Sequence, residues 1–258
     1  MKHLLFPIRF LFTLYAGTTF ILIMFLIFPV AVYASFLNPV RGGNLVYRLC
    51  RIWADAAFVF WGIQHTNYFV TPHDSSRQYV FVFNHISFID IPVIMKTIRR
   101  QPLRILGRGD LVKIPVFGFL YRIAVVCVDR SNPANRARSI VELKKIIAQG
   151  ISILIAPEGT FNTTGKPLAD FYDGAFRIAI ETGTPIKAII FPDNYARLSF
   201  HSVFSLTPGK TRAYFLPEID VRAYTIDQVQ ELKAAVYHQM EQQIIALNPG
   251  WLNRSASN

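Results

Sequence analysis

The segment Asn84-His85-Ile86-Ser87-Phe88-Ile89-Asp90 sets a histidine and a carboxylate five residues apart. Imidazole titrates near neutrality, so it can take a proton from a reacting group and hand it back. A carboxylate on its far ring nitrogen would fix the tautomer and stabilise the imidazolium. On an ideal helix the two residues would lie roughly 140° apart, so they can meet only across a turn. A second polar motif, Ala156-Pro157-Glu158-Gly159-Thr160, adds another carboxylate and a glycine. Read singly, each motif is ordinary: a strand-end histidine followed by a helix-capping aspartate, and a capped turn. Each, however, follows an apolar run, Tyr79 to Phe83 and Ile151 to Ile155. Two polar motifs leaving two strand ends point to one shared site, because α/β folds collect ligands there.

The elements around them alternate. Strands are expected over Tyr79–Phe83, Leu103–Leu106, Ala124–Val128, Ile151–Ala156 and Ile186–Phe191, from their bulky, β-forming residues. Helices are expected over Ala134–Ala148, with Ser131, Asn132 and Pro133 at its start and Gly150 at its end, and over Gly174–Glu181. A last helix, Ile226–Leu247, carries the stripe Val229, Leu232, Val236, Met240, Ile244 and Leu247 and a Thr225/Gln228 capping box. Residues 65–78 read as a loop around Pro72-His73-Asp74-Ser75-Ser76. This order predicts an α/β fold, a mainly parallel twisted sheet with helices on both faces.

At this level the chain resembles the lysophospholipid and glycerophosphate acyltransferase family. Asn-His-x-x-x-x-Asp and Pro-Glu-Gly-Thr stand in the family's order, about 70 residues apart. Lys113-Ile114-Pro115-Val116-Phe117-Gly118 and Val128-Asp129-Arg130 resemble its middle block, and Asp173-Gly174-Ala175-Phe176 resembles the segment after the glutamate motif. The likeness covers residues 79 to 190. Two positions depart from it: Phe161 stands where the family usually has arginine, and Lys187-Ala188 replace a second proline after Pro185-Ile186. The resemblance implies O-acyl transfer from acyl-CoA or acyl carrier protein to a lysolipid hydroxyl, with no further cofactor.

In that chemistry His85 and Asp90 form the candidate catalytic pair, and the substrate hydroxyl is the nucleophile. Ser87 becomes a local hydrogen-bonding residue rather than a covalent one. Glu158 is expected to accept a hydrogen bond from the acceptor lipid, and the amides of Gly159 and Thr160 to donate to the developing oxyanion. Arg108, Lys113 and Arg130 are the cations placed to hold a headgroup. Phe161 opens an alternative acceptor, a lyso-aminolipid with an amino-acid headgroup. A non-catalytic lipid-binding protein is the competing class, and the intact His85, Asp90 and Glu158 argue against it.

A hydrophobic fraction of 52% in 258 residues exceeds the needs of a soluble domain. The surplus is concentrated, since no charged residue lies between Arg9 and Arg41. Phe10–Leu37 would extend about 42 Å as one helix against a hydrocarbon core of about 30 Å, with Pro29 expected to interrupt it. Either one helix spans the bilayer, or it returns through Asn38-Pro39-Val40-Arg41-Gly42-Gly43 to a second helix. That helix places Leu45, Val46, Leu49, Ile52, Trp53, Ala56 and Phe60 opposite Arg48, Arg51 and Asp55. The resemblance favours this two-helix membrane motif. Residues 1–65 then form an anchor, 66–250 the catalytic domain and 251–258 a polar tail, with the catalytic domain expected on the cytoplasmic face.

The net charge is +11, and between Ile91 and Val128 Lys96, Arg99, Arg100, Arg104, Arg108, Lys113 and Arg122 face only Asp110. Anionic headgroups or a phosphorylated acyl donor suit such a surface. Nucleic acid is not expected, since no binding motif accompanies the charge. Cys50 and Cys127 read as reduced packing residues, and the absence of Gly-x-Ser-x-Gly disfavours a serine hydrolase.

Overall fold

The computed structural model describes residues 6–128 and 133–252. Seven strands form one sheet: β1 (Ile63–Phe69), β2 (Val80–Phe83), β3 (Leu103–Arg108), β4 (Val125–Val128), β5 (Ser152–Ile155), β6 (Ile186–Ile190) and β7 (Gly209–Phe215). Their spatial order is β1-β7-β6-β2-β5-β3-β4. All neighbouring pairs are parallel except β6 with β7. The central strands β2, β5 and β6 are buried on both faces, which is why they read as unbroken apolar runs rather than alternating ones.

Period-two geometry divides these side chains between two cores. Tyr79, Phe81, Phe83, Leu154, Ile189 and Phe191 face the first core. It is closed by α1 (Phe6–Ser35), α2 (Pro39–Phe60), α3 (Asp90–Thr97) and α4 (Phe117–Ala124). Val80, Val82, Ile153, Ile155, Ala188 and Ile190 face the second, under α5 (Pro133–Ala148), α6 (Gly174–Thr182) and α8 (Val229–Leu247). The expected capping box at Thr225 and Gln228 forms ahead of α8, across the short 3-10 turn Ile226–Gln228. The caps expected at Ser131 and Asn132 lie outside the described residues.

Two strands were not anticipated. The 65–78 segment begins as β1, and β7 lies in a stretch read without a strand; β1 pairs with β7 along its whole length. The sheet thus begins at Ile63, ahead of the 65/66 boundary.

α1 runs unbroken through Pro29 rather than being interrupted there. It is long and apolar enough to cross a membrane by length and composition. It nevertheless turns back on α2. Asn38 caps α2 by accepting from the amides of Val40 and Arg41 at 2.9 and 3.4 Å, and the Trp61 indole donates to Ala16 O and Thr19 Oγ1 at 3.2 and 3.1 Å. Gly42 lets the helices approach, since a Cβ there would collide with the Ala34 carbonyl. The expected apolar stripe of α2 is divided: Val46, Leu49 and Trp53 are buried, whereas Ile52 and Phe60 face outward. Trp53 therefore packs in the core, edge-on to Phe20 of α1, and does not anchor an interface.

Candidate active site

Chain direction diverges at the centre of the sheet. From β2 the chain passes through α3 on one face to β3; from the adjacent β5 it passes through α6 on the other face to β6. The crevice outside such a divergence is where open α/β sheets bind ligands. His85 follows β2, and Glu158 follows β5.

The loop after β2 is pinned before it turns. Asn84 Oδ1 accepts from the Phe191 amide at 2.8 Å, and its Nδ2 donates to the Phe191 carbonyl at 3.3 Å, tying this loop to the end of β6. His85 Nδ1 then donates to Asp90 Oδ2 at 2.7 Å, across the turn that their spacing demands. The same oxygen accepts from the amides of Ile86 and Ser87, each at 3.0 Å, and Asp90 Oδ1 accepts from Asn194 Nδ2 at 2.7 Å. Asp90 is fully buried, while the His85 side chain keeps 24% of its surface exposed. Four N–H donors thus replace water around a buried carboxylate, and the imidazole remains reachable from outside. Ser87 is buried, donating to Leu198 O at 2.5 Å and accepting from the Ile89 amide, the local role expected for it.

Glu158 requires a correction. Its carboxylate is 3% exposed and points beneath the histidine, with Oε1 accepting from the His85 amide at 2.9 Å and Oε2 from the Ala169 amide at 2.8 Å. Burial pushes its carboxyl up to about 7, further raised by the Asp90 charge and opposed by the two amides. In this position it ties the two loops together, with each carboxylate oxygen taken up by a backbone amide rather than open to the crevice. Gly159 is also corrected as an oxyanion donor: its amide is committed to Ala156 O at 3.0 Å in a turn with φ of 73°. Thr160 is exposed beside it.

Phe161 lies directly on the base. Its ring centroid is 4.3 Å from that of His85, 4.9 Å from Phe88 and 6.0 Å from Phe200. The Asn162 amide donates to the His85 carbonyl at 2.8 Å and holds this aromatic wall in place.

Of the expected cations, Arg108 and Lys113 are exposed and are not drawn into the His85–Asp90 contacts. Arg108 ends β3, two strand spacings or about 10 Å from β2, and forks onto Asp110 at 3.1 and 2.8 Å in solvent. Lys113 is exposed in the following turn, and Arg130 lies outside the described residues. The basic run is also thinner at the surface than its sequence implies. Lys96 and Arg99 bind Asp55, at 2.5 Å and at 2.7 and 2.8 Å, and buried Arg104 donates to Asn44 Oδ1 and to the Val40 and Leu103 carbonyls. A cavity of about 670 Å³ between the start of α2, β4 and α5 shares no lining residue with the His85 site. His65 is no rival base: it is enclosed by Thr211, Asn67 and Thr97, and burial lowers it to about 4.

Sequence reasoning missed Asn194, and it quoted Asn84 in the histidine motif without giving it a role. The signal available was the same one that marked the other loops, polar residues at the end of an apolar strand.

A switch-point crevice with a partly exposed histidine oriented by a buried carboxylate defines an acid–base group-transfer enzyme. Residues 63–192 match the family model described as Acyltransferase, and the chain belongs to that family. It is 31% identical over 189 residues to the 1-acyl-sn-glycerol-3-phosphate acyltransferase of Escherichia coli, covering 72% of this chain and 75% of that one. To the enzyme of the same name from Haemophilus influenzae it is 27% identical over 218 residues, covering 84% and 87%. The crystal structure of the Thermotoga maritima 1-acyl-sn-glycerophosphate acyltransferase PlsC shares the fold, with a TM-score of 0.72 at 20% identity over 96% of this chain and 99% of that one.

Proposed function

We propose that this acyltransferase moves a fatty acyl group from acyl-CoA or acyl carrier protein to the free hydroxyl of a 1-acylglycerol-3-phosphate-type lysophospholipid, in phospholipid biosynthesis. The contact that carries the reading is His85 Nδ1 to Asp90 Oδ2, because it leaves Nε2 as the proton-accepting nitrogen. Nε2 takes the proton of the acceptor hydroxyl as its oxygen attacks the thioester carbonyl. The tetrahedral oxyanion collapses, the C–S bond breaks, and the imidazolium returns the proton to the departing thiolate. Ester and free thiol result. No acyl-enzyme and no resident cofactor enter this scheme. The names of the relatives support the acceptor class.

The reaction takes place at a membrane, with the site on the cytoplasmic side where the donors are. Supporting this are the apolar α1, the exposed Phe88 on the loop of the base and the exposed Ile91 in the first turn of α3. Phe204, packed 5.2 Å from Phe10 of α1, extends the same apolar surface. Membranes carrying the protein should consume acyl thioester only when lysolipid is supplied. Equal consumption without an acceptor would identify a thioesterase and sink the proposal.

A second acceptor class, a lyso-aminolipid, is favoured by one observation. The position where the family carries arginine holds an aromatic ring against the base.

A further inference from the structure

Asn194 lies 104 residues beyond Asp90 in sequence, yet its side chain is fully buried against that carboxylate. Its amide donates to Asp90 Oδ1, the oxygen that His85 does not use. Its own Oδ1 is buried with no hydrogen-bond partner among the described residues. A half-satisfied buried amide is costly, and a charge-assisted bond of 2.7 Å is the compensation here.

The element carrying Asn194 is braced. Asp193, immediately before it, receives a two-pronged guanidinium from Arg212 of β7 at 2.8 and 2.7 Å. Phe191 is held at both backbone groups by Asn84, and Leu198 O accepts from Ser87. Residues 191–198, which include the short α7 (Asn194–Arg197), are therefore tied to the histidine loop and its Asp90 at three places and to β7 at a fourth.

We infer that Asn194 is a positioning residue of the acyl transfer, the third member of a His85–Asp90–Asn194 relay that fixes the rotation of the Asp90 carboxylate. Without its N–H, Oδ1 has no donor among the described residues, and the carboxylate can pivot about its Cβ–Cγ bond. The Oδ2 bond to the imidazole then loses its direction. This rests on His85 acting as the base.

The test uses the full-length protein in membranes, with acyl-CoA and lysophosphatidate as probes. Asn194→Asp keeps the shape but faces one carboxylate oxygen with another, and Asn194→Ala deletes the donor. Each should lower kcat about ten- to a hundred-fold with KM for both substrates unchanged, while thermal melting establishes that the fold persists. In an Asp90→Asn background, Asn194→Ala should cost little further, because no carboxylate remains to be oriented. Should the buried charge of Asn194→Asp unfold the chain, Asn194→Ala and its double variant carry the test. Near-normal kcat in folded Asn194→Ala, or fully additive losses in the double variant, would overturn the relay. Full activity in His85→Ala would overturn the base itself, and with it the relay; an inactive His85→Ala beside a normal Asn194→Ala overturns only the relay.

Discussion

The Phe161 ring covers the His85 imidazole at a centroid distance of 4.3 Å and joins it to Phe88 and Phe200. An apolar wall therefore stands where a bidentate phosphate ligand would be expected. The wall shields one side of the base from water, and it withholds a charge-assisted contact worth about 1.5–3 kcal/mol from a phosphate monoester bound there.

Phe161→Arg should therefore shift acceptor preference toward lysophosphatidate and away from a lyso-aminolipid. The measurement presents both acceptors at equal surface density with one acyl donor. A strong lysophosphatidate preference in the natural protein, unchanged by the substitution, would remove this position from headgroup reading and with it the reason for the aminolipid alternative.

His85→Ala should lower turnover by at least about 10²–10⁴-fold while leaving folding and membrane attachment intact. The side chain is partly exposed, and the loop is held through backbone contacts to Glu158 and Asn162. Asp90→Asn retains the base and should lose less activity. It should, however, lower the melting temperature more, because an amide cannot accept all four N–H groups that converge on the carboxylate. Equal melting temperatures for the two variants would contradict this division of roles.

Glu158 makes a prediction in pH. Its carboxyl is raised from an ordinary 4.5 to about 7, so the folded chain holds a proton that the unfolded chain releases. The resulting stabilisation is fully present below about 4.5 and is lost as pH rises to about 7. Urea-unfolding midpoints should accordingly fall more across that window in the natural protein than in Glu158→Gln, which has nothing to titrate there. Parallel pH dependences would mean that the carboxyl is not raised. Turnover of Glu158→Gln should fall as well, since an amide can satisfy one of the two backbone N–H groups and repels the other.

Arg48, Arg51, Arg99 and Arg100 line a groove of about 520 Å³ around Ile52, which is 59% exposed. Arg99 is neutralised by Asp55, leaving three cations around an apolar tip. Arg48→Gln with Arg100→Gln should weaken binding of the full-length protein to anionic vesicles by roughly tenfold or more at low salt, at about 1 kcal/mol per charge. Binding to neutral vesicles, carried by the apolar helices, should be unchanged. Equal loss on both vesicle types would exclude an electrostatic role for the groove.

The legible parts of this protein were those encoded locally. β2, β5 and β6 announced themselves because central parallel strands are buried on both faces, and the edge strand β4 was legible from its β-branched run Val125-Val126-Cys127-Val128. His85 and Asp90 were readable because their contact closes within one turn. β1 and β7 were not: Gln64, Thr66, Lys210 and Arg212 dilute both runs, as expected where a strand is only half-covered. The Glu158 carboxylate looked available because its second partner, the Ala169 amide, is set by a loop that no spacing reveals. Asn194 joins the site from a strand end more than a hundred residues away, and only the strand order brings it there.

The pairing of β1 with β7 also bears on biosynthesis. β1 follows the helical hairpin directly, whereas its sheet partner is made some 146 residues later. At about 5–20 residues per second, a ribosome takes roughly 7–30 s to supply it. Throughout that interval the nascent strand carries unpaired amides and carbonyls beside an apolar hairpin. Completion of the sheet must wait until Gly209–Phe215 have been made, and a ribosome that stalls between the two strands leaves an edge open to aggregation at the point of synthesis.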